Sequence, residues 1–588
     1  MSIGDLARFA RTLSGLSASQ LFWRGRYALS RRLPPPHIPL PLQLTSDSDV
    51  ARDCETLGAI PVFHRPGPGA GEVVDRLAAG EFLHLNRSEK IGRDEPDWKL
   101  GPRSRDRLWA ITLHYHAWCH ALAEVIAQGR NDAPIAGQLL LHYVTDWIDR
   151  CDLDCPGARD LAWNSYAIST RIGWWVRSYV LLGRAWWQAR PRFHATFLAS
   201  LWRQAEFVAG HLEWDLRGNH LMRDAVGLAW AGRLFSGPRP DHWLEQAAAI
   251  AGAQFSEQVL PDGGHFERSP MYHLHVMEDV LSLTLLLRDD AVRRSARDTW
   301  SRMANYLAWM RHPDGDIPLL NDAALGSACN PRDMLAKGRQ CGMTSDDASC
   351  RGGRLFADTG VAVWHGDPWT VFFDVGPVGP DCQPGHAHAD TLTLECSLNG
   401  RRLFVDPGTY CYDLNAARRY DRSTAAHNTV SINNSDSSEV WHIFRVGARA
   451  QPAEVCVDFS NDAMTADAAH NGYSRLSGSP KHRRRVIVRD GGELRIEDII
   501  DGRLTHTLEG GYLLAPEWRA EISGSGWNIT DGDARLRVSI SGPLDMSLSI
   551  DERRWHPQFG REIAVPRLSW CCKGRLPVEV TTVVDIAR

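Results

Sequence analysis

The chain has 588 residues, more than one hydrophobic core organises, so length alone implies two or three domains. Hydrophobic residues make up 43% and charged residues 23%, which excludes a disordered chain, and no apolar run is long enough for a membrane-spanning helix. A net charge of −5 gives no overall pull toward nucleic acid or any other polyanion, so an acidic partner would have to be held by local clusters of arginine.

In chain order, residues 1–33 carry Arg8, Arg11, Arg24, Arg26, Arg31 and Arg32 and read as a basic amphipathic helix. No apolar core of signal-peptide type follows, so a cytoplasmic location is the default, with periplasmic export by another route left open. Residues 34–45 are a proline-rich connector, and the stretch up to 104 reads as an irregular cover segment. Helical spacing begins near Arg105 and recurs at about 133–150, 163–188, 193–213, 219–235, 240–259, 272–288 and 290–311. The short connections predict antiparallel helical hairpins over 105–336. Trp is abundant, with 23 residues mostly before 310, and core packing accounts for most of them better than sugar-binding walls. The 13 Cys residues show no zinc-ribbon or disulfide framework and read as free thiols.

Residues 337–354 are rich in Gly, Ser and Asp and are assigned as the linker. Beyond them the period changes to two, in WTVFFDVG, RRVIVRD, GELRIEDII, RLRVSI and VEVTTVVDI, which predicts an antiparallel β-sandwich over 355–588. Within it lies PGHAHADTLTLECSLNGRRLFVDPGTYCYD, starting at Pro384. His386 and His388 are two apart, on one face of an extended chain. Asn399-Gly400 is a hairpin signal, and the return strand delivers Asp406. With His427 these residues make a His/His/Asp set that suits zinc. Strict pairing about Asn399-Gly400 places Asp406 opposite Thr393, so His388 joins the set only if the chain bends before Thr391, and otherwise Asp390 is a rival ligand.

Three motifs in order, H-A-H-A-D, L-F-V-D-P-G-T-Y and S-T-A-A-H-N-T-V, resemble the heparinase II/III-type polysaccharide lyases, which include alginate and oligoalginate lyases. Two further matches precede them: Asn219-His220 in LRGNHLMRD, and Tyr272 in SPMYHLH. The resemblance implies an incomplete α/α toroid followed by the β-sandwich. It implies β-elimination on an acidic polysaccharide containing uronate, whether glycosaminoglycan, alginate or bacterial exopolysaccharide. Asn219 and His220 would neutralise the substrate carboxylate, helped by Arg223. Tyr272 would transfer the proton, and His386 would be the complementary base or a second carboxylate contact. His388, Asp406 and His427 would hold a zinc ion, which reads as structural. Arg268, His275, Tyr410, Tyr412, Arg418, Arg419, Tyr420 and Arg422 are the candidate substrate contacts, because guanidinium forks match carboxylates. Two rival readings remain. One is a glycoside hydrolase using Asp262 and Glu267, or Asp314 and Asp316; the other is a non-catalytic polysaccharide-binding or exopolysaccharide-assembly factor.

Overall fold

Helices of the first half begin where the sequence supplies stop-and-start chemistry. The computed structural model describes residues 3–30, 32–33, 38–40, 54–65, 67–99, 106–155, 157–345 and 350–586. Most of the proline-rich connector therefore lies outside the described residues. Asn164, Ser269 and Asp289 cap the helices Ser165–Gln188, Pro270–Leu286 and Asp290–Trp309 with side-chain oxygens. Proline opens Pro191–Gly210, Pro238–Gln258 and Pro270–Leu286, where its missing N–H costs nothing. Gly218–Leu234 and Pro270–Leu286 are buried on nearly every face and form an inner layer against their outer neighbours. Gly227 makes one of these contacts close: a Cβ there would lie 2.7 Å from the Cα of Ser169.

Two local expectations fail. The helix starting near 105 is broken into Arg107–Leu113 and Ala117–Ala127, with His116 at φ 61° between them. The break turns two imidazoles into the toroid core, where His114 and His116 accept the indole N–H groups of Trp147 and Trp175 at 3.0 Å each. The cover segment is also not irregular. Its helix Ala70–Ala78 and hairpin Glu81–His84/Arg87–Lys90 bury Phe82 against Tyr143, so this segment belongs to the toroid's own core. The helix Pro331–Gln340 runs into the expected linker, and the first sandwich strand begins at Gly352.

The second half is antiparallel throughout its named strands. Five strands from Gly352–Phe356 to Arg401–Phe404 form a meander. A bridge between Phe404 and Leu514 joins it end to end with a four-stranded sheet. An eight-stranded sheet packs across both. Strands Lys481–Arg489 and Leu494–Asp501 alternate buried and less buried residues, as the period of two requires.

Inside this sandwich Arg484 and Asp498 face each other on paired strands, with Nε to Oδ1 at 2.7 Å and Nη2 to Oδ2 at 3.0 Å. His482 adds a third contact at 2.7 Å. The remaining guanidinium nitrogen donates to the carbonyls of Leu392 and Asn428, and so reaches across to the loops that carry the candidate metal ligands. Burial alone would raise the Asp498 carboxyl, but Arg484 and His482 together outweigh it and bring the pKa to about 2. Asp498→Ala strands a buried guanidinium and is expected to cost about 3–5 kcal/mol, read as a lower Tm at neutral pH. Because the folded pKa is depressed, this stabilisation is complete above about pH 4 and is lost as pH falls toward 2; acid unfolding of Asp498→Ala should lack that component.

Candidate active site at the domain junction

On the toroid side the site is built at the start of Gly218–Leu234. Arg217 and Gly218 both have positive φ, and Arg217 is the N-cap. Gly218 is required here, since a Cβ would sit 2.3 Å from Oε1 of Glu267. The carboxylate of Glu267 instead accepts the Asn219 N–H at 3.4 Å. His220 lies next to Glu213, with Nδ1 to Oε2 at 3.2 Å, and its ring meets that of Tyr166 at 4.9 Å. Burial lowers the His220 pKa, but Glu213 more than reverses this and leaves it above the ordinary value. Arg223, one turn on, pairs with Asp279 at 2.9 Å and faces Tyr166.

The second toroid group comes from Pro270–Leu286. Ser269 accepts the Tyr272 N–H at 3.2 Å and donates to the Asp322 carbonyl at 2.5 Å, so the helix start is tied to the loop carrying Asp322. The Tyr272 ring stacks on His386, with centroids 3.7 Å apart and planes at 24°. Its hydroxyl lies 3.0 Å from that of Tyr412. Burial holds the Tyr272 phenol well above its ordinary pKa, so it is a proton donor at neutral pH. His275 is 5.8 Å from Tyr272 ring to ring, and burial lowers its pKa to about 3.

The sandwich-side groups are organised by one carboxylate of the helical half, on the loop between Asp290–Trp309 and Pro331–Gln340. Asp322 accepts from His386 Nδ1 at 3.0 Å and from His388 Nε2 at 2.8 Å, and it receives the forked guanidinium of Arg418. Burial would raise its pKa, but Arg418 and the two imidazoles hold it well below the carboxylate range. The Asp322 carboxylate accepts from His386 Nδ1, which leaves Nε2 facing the Glu267 carboxylate at 3.5 Å. Nothing in the sequence pattern singled out Asp322; its only advance sign was a charged residue, beside Asn321, in the mostly apolar stretch PLLNDAAL.

His388, Asp406 and His427 meet in the interior, with one potential ligand atom from each all within 4.8 Å of one another. The bend that brings them together is at Leu392, whose φ is 68°, and a bulge in the hairpin pairs Cys396 with Phe404 rather than Leu403. Strict pairing therefore fails by one residue. His427 Nδ1 is 2.8 Å from Asp406 Oδ2, while His388 Nδ1, His427 Nε2 and Asp406 Oδ1 are buried without a hydrogen-bond partner. Burial lowers both imidazoles, His388 to about 3, so both are neutral, as ligation requires. Burial pushes the Asp406 carboxyl well up, and a cation would favour its charged form. The donor set thus fits zinc, with Asp322 bracing His388 from behind. Asp390, the rival, lies outside this group, although its Oδ2 is also buried and unpartnered.

Several expected substrate contacts are committed elsewhere. Arg268 spends its guanidinium on the carbonyls of Thr359, Phe266 and Asp358. Arg418 is bound to Asp322 and to the Ile443 carbonyl. Arg422 is buried and donates to the carbonyls of Ala387, His442, Ile443 and Arg445. These forks hold protein carbonyls, or for Arg418 the Asp322 carboxylate as well, and are not aimed at a ligand. Tyr410 and Tyr420 pack near His556, Tyr412 faces the site, and Arg419 is exposed on the surface. The tip of the hairpin Val440–Trp441/Arg445–Val446, held by Arg418 and Arg422, carries a residue the sequence did not flag. It is Phe444, with its ring 6.0 Å from His386 and 5.0 Å from Tyr412.

The fold and site define a two-domain protein, a helical toroid joined to a β-sandwich, whose polar constellation lies where the two meet. The model of the heparinase II/III N-terminus matches residues 75–339, and that of the heparinase II/III-like C-terminal region matches 349–581. The chain belongs to the heparinase II/III family. It is 23% identical over 524 residues to a heparin-sulfate lyase of Bacteroides stercoris, covering 79% of this chain and 73% of that one. It is also 23% identical over 374 residues to one of Pedobacter heparinus, covering 58% and 54%. A crystal structure of heparinase III aligns over 98% of this chain and 93% of its own, with a TM-score of 0.72 at 16% identity, which shows a shared fold.

Glu213 should be what raises the His220 pKa. In Glu213→Gln the His220 pKa, followed by NMR titration of its ring protons, is expected to fall; an unchanged value would remove Glu213 from that role.

Proposed function

We propose that the protein is a polysaccharide lyase that cleaves a uronate-containing polysaccharide by β-elimination. The relatives named as heparin-sulfate lyases support a glycosaminoglycan as the first substrate class to try. The carrying observation is the convergence, at the junction of the domains, of the Tyr272 phenol stacked on the His386 imidazole with the Asn219–His220 helix start, Glu267 lying next to both His386 and Asn219.

The chemistry divides among them. The Asn219 amide and the His220 imidazole, its pKa raised by Glu213, would meet the uronate carboxylate and stabilise the second negative charge that builds as C5–H is lost. His386 Nε2 takes that proton, since ionised Asp322 holds the other ring proton in place and stabilises the imidazolium that forms. Electrons from the C5–H bond form the C4–C5 double bond, the C4–O bond breaks, and Tyr272 gives its proton to the departing oxygen. A hydrolase reading lacks a carboxylate pair: of its candidates only Glu267 lies in the site, and the others are engaged elsewhere. Asp262 accepts from Thr359, Asp314 pairs with Arg402, and Asp316 accepts from Asn330.

Zinc would be held by His388, Asp406 and His427, and its contribution would be to fix the loop that aims His386 rather than to touch the substrate. Elemental analysis of purified protein should give one zinc per chain, and His388→Ala should lose it together with β-domain stability; equal metal content in both would dismiss these ligands.

The product is unsaturated and absorbs in the ultraviolet. A screen across heparan sulfate, hyaluronan, alginate and bacterial uronate polymers should therefore show turnover on at least one. On that substrate Tyr272→Phe should lower kcat by on the order of a hundredfold or more with the fold intact. A near-normal rate would transfer the proton donation to Tyr412, its hydrogen-bonded neighbour.

A further inference from the structure

The first two helices, Ile3–Ser14 and Ala18–Ser30, tie the toroid to the sandwich beside the site, and both lie outside the regions 75–339 and 349–581 that the family models match. The central tie is Gln20, which is fully buried. Its Nε2 donates to the Cys382 carbonyl of the sandwich at 2.9 Å and to the Asp215 carbonyl of the toroid at 3.4 Å. Tyr27 donates to the Leu212 carbonyl on the toroid side. On the sandwich side Arg11 forks onto Glu439 at 2.7 and 2.8 Å, Thr12 accepts the Trp441 indole N–H at 3.1 Å, and Arg445 stacks over Phe9 and Trp441.

The anchor points are close to the reacting groups in both walls. Asp215 lies four residues before Asn219, and Cys382 four residues before His386. Even fully extended, four residues span no more than about 14 Å. Glu213, which holds His220, lies between the anchors Leu212 and Asp215. The hairpin that Arg11 and Thr12 secure is the one that presents Phe444 to His386.

On the lyase reading a polymer that reaches Tyr272 and His386 must enter between toroid and sandwich, and it cannot pass where the two walls are bonded to a common strap. We infer that this helical pair closes the cleft on one side of the site, so that a uronate polymer is attacked from a chain end and releases a short product. The inference rests on the lyase reading and adds the mode of attack to it.

The test is the product profile of the full-length protein on whichever uronate polymer it accepts, followed by size-exclusion chromatography with ultraviolet detection. Expected is a single short unsaturated product from the earliest time point, while the remaining polymer keeps its length. A broad ladder of oligosaccharides at early times would overturn the inference and leave the lyase reading standing. No ultraviolet-absorbing product from any uronate polymer would overturn the lyase reading, and this inference with it. A second arm loosens the strap with Gln20→Glu and Arg11→Ala. An ionised glutamate has no donor for the two carbonyls, and the alanine cannot reach Glu439. Protein that remains folded by circular dichroism should then give mixed product lengths and an early fall in solution viscosity. Persistence of the single short product, with the helices shown to be detached by limited proteolysis, would overturn the assignment of the mode to the strap.

Discussion

A buried carboxylate with four partners holds the site together. Asp322 is bound by Arg418, His386 and His388, and its oxygen also lies 3.5 Å from the Thr409 hydroxyl. Such a charge is tolerated inside a protein only when every lone pair is met, and the geometry that meets them also sets the site. The same two oxygens choose the tautomer of His386 and brace His388 from behind. The position of the candidate base and that of the candidate metal cage are therefore one property, and a change on either side of Asp322 reaches the other.

The backbone bears the strain of this arrangement. Arg217, Arg268, Asn321 and Leu392 all take positive φ, a conformation that non-glycine residues rarely adopt. Each stands within four residues of a side chain at the site: Asn219, Tyr272, Asp322 and His388. Asn321 shows how the strain is held, accepting the His388 N–H at 3.0 Å and donating to the Arg268 carbonyl at 3.1 Å. The scaffold around these points is rigid, with inner helices buried on nearly all faces and the Arg484–Asp498 pair clamping the Leu392 carbonyl from the opposite sheet.

The two-part architecture was readable because hydrophobic period changes from helical to alternating near residue 350, and that signal is local in the chain. The His/Asp/His group was readable because its members stand out by type, although the bend at Leu392 and the bulge opposite Cys396 depend on tertiary packing and carry no turn residue to announce them. Asp322 was not readable, because its importance lies wholly in partners 64 to 96 residues away. Composition misled at Arg268, Arg418 and Arg422. A run of arginines looks the same whether its forks face solvent, a ligand or the protein's own carbonyls, and only the folded chain distinguishes these.

The contact between Tyr272 and Tyr412 has a thermodynamic consequence. One phenol belongs to the toroid and the other to the sandwich, so their 3.0 Å bond is part of what holds the two halves of the molecule together. A ligand that accepts the proton shared by the two hydroxyls must break that bond as it forms its own. Occupancy of the cleft and cohesion between the halves thus compete for the same proton. The work of separating the two halves becomes a quantity that ligand concentration can change, and a ligand's apparent affinity includes the cost of releasing one phenol from the other.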